Sequence, residues 1–251
     1  MNIIAALLII LFVLMLVVGG KKGAKSFFTL IFNFIILFIM LILIACKLDP
    51  IKVTIFISII ISSITLFYIN GFNKKTVASL LSVTLVVLLT MIITSKIGIN
   101  AKIQGFGYEQ YESISSLSLY VQLNFTKIVI CEILVGLLGA IIDVSISISS
   151  SMNELYKNNS LISQNNLFKS GMNIGKDILG TMTNTLFFAF ISGFMTLIIY
   201  FTELHYSIAD VLNAKVFCAE VFQILCSGIG IILIIPITAF ITSKILFLKY
   251  P

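Results

Sequence analysis

The chain has 251 residues, 59% of them hydrophobic and only 10% charged, with a formal net charge of +6. A soluble domain carries about a quarter of its residues as charges and could not cover its surface with so few; disorder is excluded as well, because it requires low hydrophobicity. The class that remains is an all-α polytopic integral membrane protein in contact with the lipid bilayer, since apolar segments that cross hydrocarbon outside a closed barrel must satisfy their backbone groups within each helix.

A spanning helix needs about 20 mostly apolar residues. Seven stretches qualify in chain order: Ile3–Val18, Phe27–Cys46, Val53–Ile69, Thr76–Ser95, Ile128–Ser149, Ile178–Phe201 and Val216–Ser243. The first has its lysines behind it, at Lys21, Lys22 and Lys25, whereas a cleaved signal needs them in front. It therefore reads as an uncleaved span. The connection from Lys96 to Lys127 carries Tyr108, Tyr111 and Tyr120 with Glu109 and Glu112, a composition suited to an interfacial aromatic belt. Pro236 is a candidate kink in the last span.

All 16 basic residues are lysines, ten on one side of the predicted spans and six on the other. The positive-inside rule then places the N-terminus outside and the C-terminus inside. Without arginine the bidentate contacts that read nucleic acid are missing, so no nucleic-acid partner is expected. The four cysteines form no C-x-x-C pair, and His205 is the only histidine. No metal, cofactor or disulfide is expected from such spacing.

Polar groups inside spans are costly and mark bundle interiors or water-filled paths. The fifth span carries Glu132 and Asp143, which eleven residues place on one helical face, with Gly136, Gly139 and Ser147 on the same stripe. Gly136 and Gly139 suit close helix packing. The carboxylates could pair with a lysine or line an ion path. The sixth span opens with Asn173, Asp177, Gly180 and Asn184 at steps of four, three and four, beside Lys176. Gly171, Gly175 and Gly180 permit either a straight packed helix or a re-entrant bend; the segment is no phosphate loop, because Asp177 stands where a hydroxyl would be needed. The last span adds Glu220, Gln223, Ser227 and Gly230. Earlier spans offer weaker features: Asn33, the row Ser58, Ser62 and Thr65, and Thr90 with Thr94. Two regions follow: residues 1–127, an N-terminal four-helix scaffold or lipid-facing shell with an outside loop, and residues 128–251, a three-helix polar bundle.

Two segments resemble the YibE/F family of bacterial membrane proteins: Gly136 to Ser151 with the following Asn153, Glu154 and Leu155, and Ser170 to Leu186, which contains Gly171, Asn173, Gly175, Asp177, Gly180 and Asn184. The family pattern has an arginine at the place of Lys176, a change that keeps the charge and loses the fork geometry. The resemblance implies a multi-pass protein of the bacterial plasma membrane with a transport-related role. It also implies a short member that works beside a longer relative, as a homo- or hetero-oligomer. It brings no list of catalytic residues.

The expected function is a permease or permease subunit for a small solute or ion. Asp143, Ser147, Asn173, Lys176, Asp177, Asn184, Glu220 and Gln223 would lie along its path, with Gly136, Gly139, Gly175 and Gly180 in helix packing. The alternative is a non-transporting module that assembles or regulates a related membrane protein. An enzyme is not expected: the Gly-x-Gly-Asp arrangement of intramembrane aspartyl proteases is absent, and so is a serine–histidine pair. Convergence of Asp143, Asp177, Asn184 and Glu220 on one cavity would mark a common site.

Overall fold

The computed structural model describes residues 3–100, 124–159 and 161–248. Lys102, the loop tyrosines Tyr108, Tyr111 and Tyr120, the loop acids Glu109 and Glu112, and Lys249 lie outside the described residues. Among those described, seven helices and no strand occur. The helices are α1 (Ile3–Ala45), α2 (Pro50–Asn70), α3 (Lys74–Asn100), α4 (Phe125–Asn158), α5 (Gln164–Glu203), the single-turn-and-a-half α6 (Ile208–Asn213) and α7 (Lys215–Phe247). Five of them, α1, α2, α3, α4 and α7, are each long and apolar enough to cross a bilayer, and α5 makes a sixth when its 41° bend after Gly193 is counted within one span. The chain is an all-α polytopic membrane protein.

α1 covers two predicted spans in 43 residues, a length of about 65 Å if straight against a hydrocarbon core of about 30 Å. It is not straight. Gly20 has φ 54° and ψ −136°, a conformation that L-residues rarely adopt. The Phe12 and Phe27 rings lie 4.9 Å apart, and the Met15 carbonyl presses so close to Gly23 that no Cβ would fit there. The chain therefore doubles back at Gly20, with Lys21 and Lys22 next to the fold. α2 starts sharply because Asp49 caps it, accepting from the Ile51 N–H, and Pro50 has no N–H to satisfy. Asp49 also holds the Lys127 ammonium at 2.5 Å, which ties the start of α2 to the start of α4.

α3, α4 and α7 pack on one another and form the centre of the molecule; α2 lies against α3 and α4, α1 lies on α2, and α5 covers α7 and α4. Leu134, Leu137, Ile141, Ile231, Ile234 and Val86 fill the interior, all at 0% exposure. Three helices are also joined there by hydroxyls. Ser79 and Ser149 share a hydrogen bond of 2.6 Å, Ser145 donates to the Ser79 carbonyl at 3.3 Å, and Thr238 donates to Ser145 at 3.1 Å. The sequence leaves the first four spans as a scaffold or a lipid-facing shell; the fourth of them, α3, packs at the centre. Its Thr76, Ser79, Ser82, Thr90 and Thr94 are buried, where they bond either to their own helix or to neighbours.

Register sets the depth of α5. Gly171 lies against Ala239 and Met152, and Gly175 against Ile235, so α5 runs antiparallel to α7 with Asp177 level with Leu233 and Asn184 level with Cys226. On α7, Lys215 and Lys244 are exposed and stand about 44 Å apart at 1.5 Å per residue, the thickness of a bilayer with its headgroups. Asp177 then sits about 16 Å from the level of Lys244, near mid-depth. By sequence alone Asp177 falls just before a span beginning at Ile178. Instead α5 begins at Gln164 and runs unbroken through Gly171, Gly175 and Gly180, a continuous helix and no re-entrant bend. Tight packing explains the shift: two glycines four residues apart let α5 approach α7 closely, so this polar segment lies along the bundle.

Candidate functional site

Asp143 lies on the face of α4 turned toward α1 and α2. It lines a cavity of about 200 Å³ together with Asn33 and Leu37 of α1, Ile61 and Thr65 of α2, and Val135, Leu138, Gly139 and Ile142 of α4. The Asn33 amide donates to the Thr65 hydroxyl at 3.1 Å, while its buried carbonyl oxygen has no hydrogen-bond partner among the described residues. An acceptor left without a donor costs about 1–3 kcal/mol. Three groups could satisfy it beside Asp143: a protonated Asp143 carboxyl, a water, or a cation. At about 30 Å³ per water, the cavity has room for several. By the Thr238–Ser145 pairing, Asp143 is level with Pro236, about 12 Å from the level of Lys244. Asp143 is itself exposed, as is Ser147 one turn further along the stripe, which does not line this cavity.

The polar residues of α5 stand elsewhere. Asn173, Lys176, Asp177, Gly180 and Asn184 are all exposed. Gly175 and Asp177 are two residues apart, about 200° around the helix, so the polar stripe points away from the face that packs on α7. On α7, Gln223 is buried, and its amide nitrogen is 3.1 Å from the position a Cβ on Gly136 would take, with Phe190 of α5 also at that point. Glu220 is half-buried on α7 as well.

These groups occupy three places. The Asp143 cavity includes none of Asp177, Asn184 and Glu220. Among the described residues, the Asp143 cavity does not gather these groups into the single convergent site that the polar stripes suggested. The packing glycines divide similarly. Gly175 and Gly171 are filled from α7, and Gly136 meets Gln223, but Gly139 and Gly180 have, among the described residues, no atom within 4 Å of an added Cβ. Asn33 and Thr65 are the cavity residues that sequence reasoning undervalued. Their signal was an amide inside an otherwise apolar run, which needs a partner. Among the described residues no three His, Cys, Asp or Glu side chains gather as a metal site would require.

Outside the spans, the Lys127 hydrogen bond and charge hold the Asp49 carboxyl below its ordinary value. Ser207, through its hydroxyl and backbone N–H, does the same for Asp210 in the capping box of α6.

A family profile described as YibE/F-like protein matches residues 7–247. No curated protein and no solved structure matches the chain.

Proposed function

The chain belongs to the YibE/F-like family, and within it we propose that this member works as a permease or permease subunit for a small solute or ion, with Asp143 in the path. The observation that carries the reading is the Asp143 cavity: a carboxyl at membrane depth, a hydroxyl, and a buried carbonyl oxygen lacking a donor, around a space that admits water. In the protonated state the Asp143 carboxyl donates to the Asn33 oxygen and the cavity is neutral. Loss of that proton to water leaves a carboxylate with the Asn33 and Thr65 oxygens beside it, a set suited to a monovalent cation. Alternation between these two states couples occupancy to access. On this reading the protein sits in a bacterial plasma membrane with its N-terminus outside and its C-terminus inside, as the lysine distribution favours.

The test is flux in proteoliposomes, with proton movement followed by an entrapped pH dye and sodium and potassium by isotope uptake. Asp143→Asn is expected to abolish coupled flux, whereas Ser147→Ala, which changes an exposed group off the cavity, is expected to retain it. Wild-type flux in Asp143→Asn would remove the residue from the path. A second reading, a non-transporting module that assembles with or regulates a related membrane protein, is favoured by the outward polar face of α5. It predicts that the wild-type chain conducts nothing in any of these assays.

A further inference from the structure

The outward face of α5 has a period of its own. Asn173, Asp177, Gly180, Asn184, Phe187 and Ile191 follow at alternating steps of four and three. That is the seam of a heptad helix pair, 3.5 residues per turn. The first five are exposed and Ile191 is half-buried, and the seam points away from Gly171 and Gly175, which pack on α7. It runs through mid-depth, because α5 is in antiparallel register with α7 and Asp177 and Asn184 fall on either side of the midpoint between Lys215 and Lys244. A chain alone would present an aspartate, a lysine and two asparagines to lipid there.

We propose that this seam binds the same seam of a second copy of the chain, forming a parallel two-fold dimer through α5. Two copies inserted alike in one membrane meet about an axis along its normal, so like residues face one another. The residues suit that symmetry. An asparagine amide both donates and accepts, so Asn173 and Asn184 each pair with their own equivalents. Gly180, open to its side, lets the two backbones approach. Asp177 facing Asp177 would repel, but the position before a seam residue on the facing helix flanks it in a parallel pair. That position is Lys176 of the partner subunit, and two crossed Lys176–Asp177 ion pairs form. Within one chain, the ion pairs among the described residues are Lys127–Asp49 and Lys157–Glu154, and neither uses Lys176 or Asp177. The pairing does not rest on transport and stands whatever the chain conducts.

The experiment is cysteine cross-linking in native membranes, on a chain with Cys46→Ser and Cys218→Ser, the two exposed native cysteines. Gly180→Cys and Asn184→Cys are expected to give an oxidised homodimer, and Thr185→Cys, exposed but a fifth or more of a turn off the seam, is not. Charge exchange supplies the second arm, read as dimer fraction by single-molecule photobleaching in lipid vesicles. Lys176→Glu and Asp177→Lys are each expected to lower dimerisation about tenfold or more, and the two together to restore it to within about threefold. The restoration separates pairing from misfolding. Cross-linking only to a different protein, equal cross-linking at positions 180 and 185, or failure of the double exchange to restore the dimer would each overturn the proposal.

Discussion

Gly175→Ala tests the α5–α7 register on which the depth of Asp177 rests. A methyl there would overlap the Ile235 side chain, which is 4% exposed. Ile235 is β-branched and held in one χ1 rotamer by its own helix, so it cannot swing aside. Overpacking of a core costs about 1–3 kcal/mol. Against that, alanine gains about 1 kcal/mol over glycine in a helix interior. The expected outcome is a net loss of up to about 2 kcal/mol, or up to roughly 8 °C in Tm for a chain of this size. The chain has no tryptophan, but Cys131 and Cys226 are buried. A fluorogenic thiol dye therefore reports unfolding in detergent once Cys46 and Cys218 are replaced by serine. Gly139→Ala is the control: nothing lies within 4 Å of its added Cβ, so it should gain up to about 1 kcal/mol. Ile235→Ala alone should cost about 2–5 kcal/mol. Combined with Gly175→Ala, the loss should fall short of additivity by about 1 kcal/mol or more, because the new methyl grows into vacated space. If Gly175→Ala stabilises as Gly139→Ala does, or the double variant is simply additive, α5 does not meet α7 in this register.

Other outcomes follow from the same packing. Thr242→Val and Ser227→Ala remove buried hydroxyls that have no hydrogen-bond partner among the described residues; stability should rise by up to about 1 kcal/mol, where a loss would point to a bound water. Ser149→Ala breaks the 2.6 Å bond to Ser79, whose hydroxyl keeps the Lys75 carbonyl; the same dye should show a loss near 0.6 kcal/mol and under about 1.7. Asp49 has a folded-state value below its ordinary one, so its contribution is complete above the ordinary carboxylate range and is lost as pH falls through the folded value. Both partners are about a third exposed, so screening keeps the pair near 1 kcal/mol or less. Lys127→Met should lower stability at neutral pH by that amount and flatten the acid limb of a Tm-against-pH curve.

How much was legible beforehand depended on what each feature required. Span positions were read from runs of apolar residues, because hydrocarbon admits little else. Asp143 stands out in the sequence as a carboxyl inside an apolar run, since a charge within such a run is costly wherever the helix points. Its cavity partners, Asn33 and Thr65, lie about 110 and 80 residues earlier in the chain, and periodicity within one helix does not say which other helix faces it. The four-three spacing of Asn173, Asp177, Gly180 and Asn184 was visible too, yet spacing identifies a face without saying whether it turns inward or outward.

Composition and periodicity by themselves determined an all-α polytopic chain and its polar stripes, because each depends on local order along the helix; the family likeness came from two motif segments, Gly136–Leu155 and Ser170–Leu186. Only the tertiary structure decided that α3 is central, that α1 folds at Gly20, that Asp177 lies near mid-depth, and that the Asp143 and Asp177 faces are separate. The reason is that helix rotation and register are set by contacts between segments. Two glycines that admit Ile235 and Ala239 moved α5 by several residues against α7, a shift that no property of α5 alone encodes.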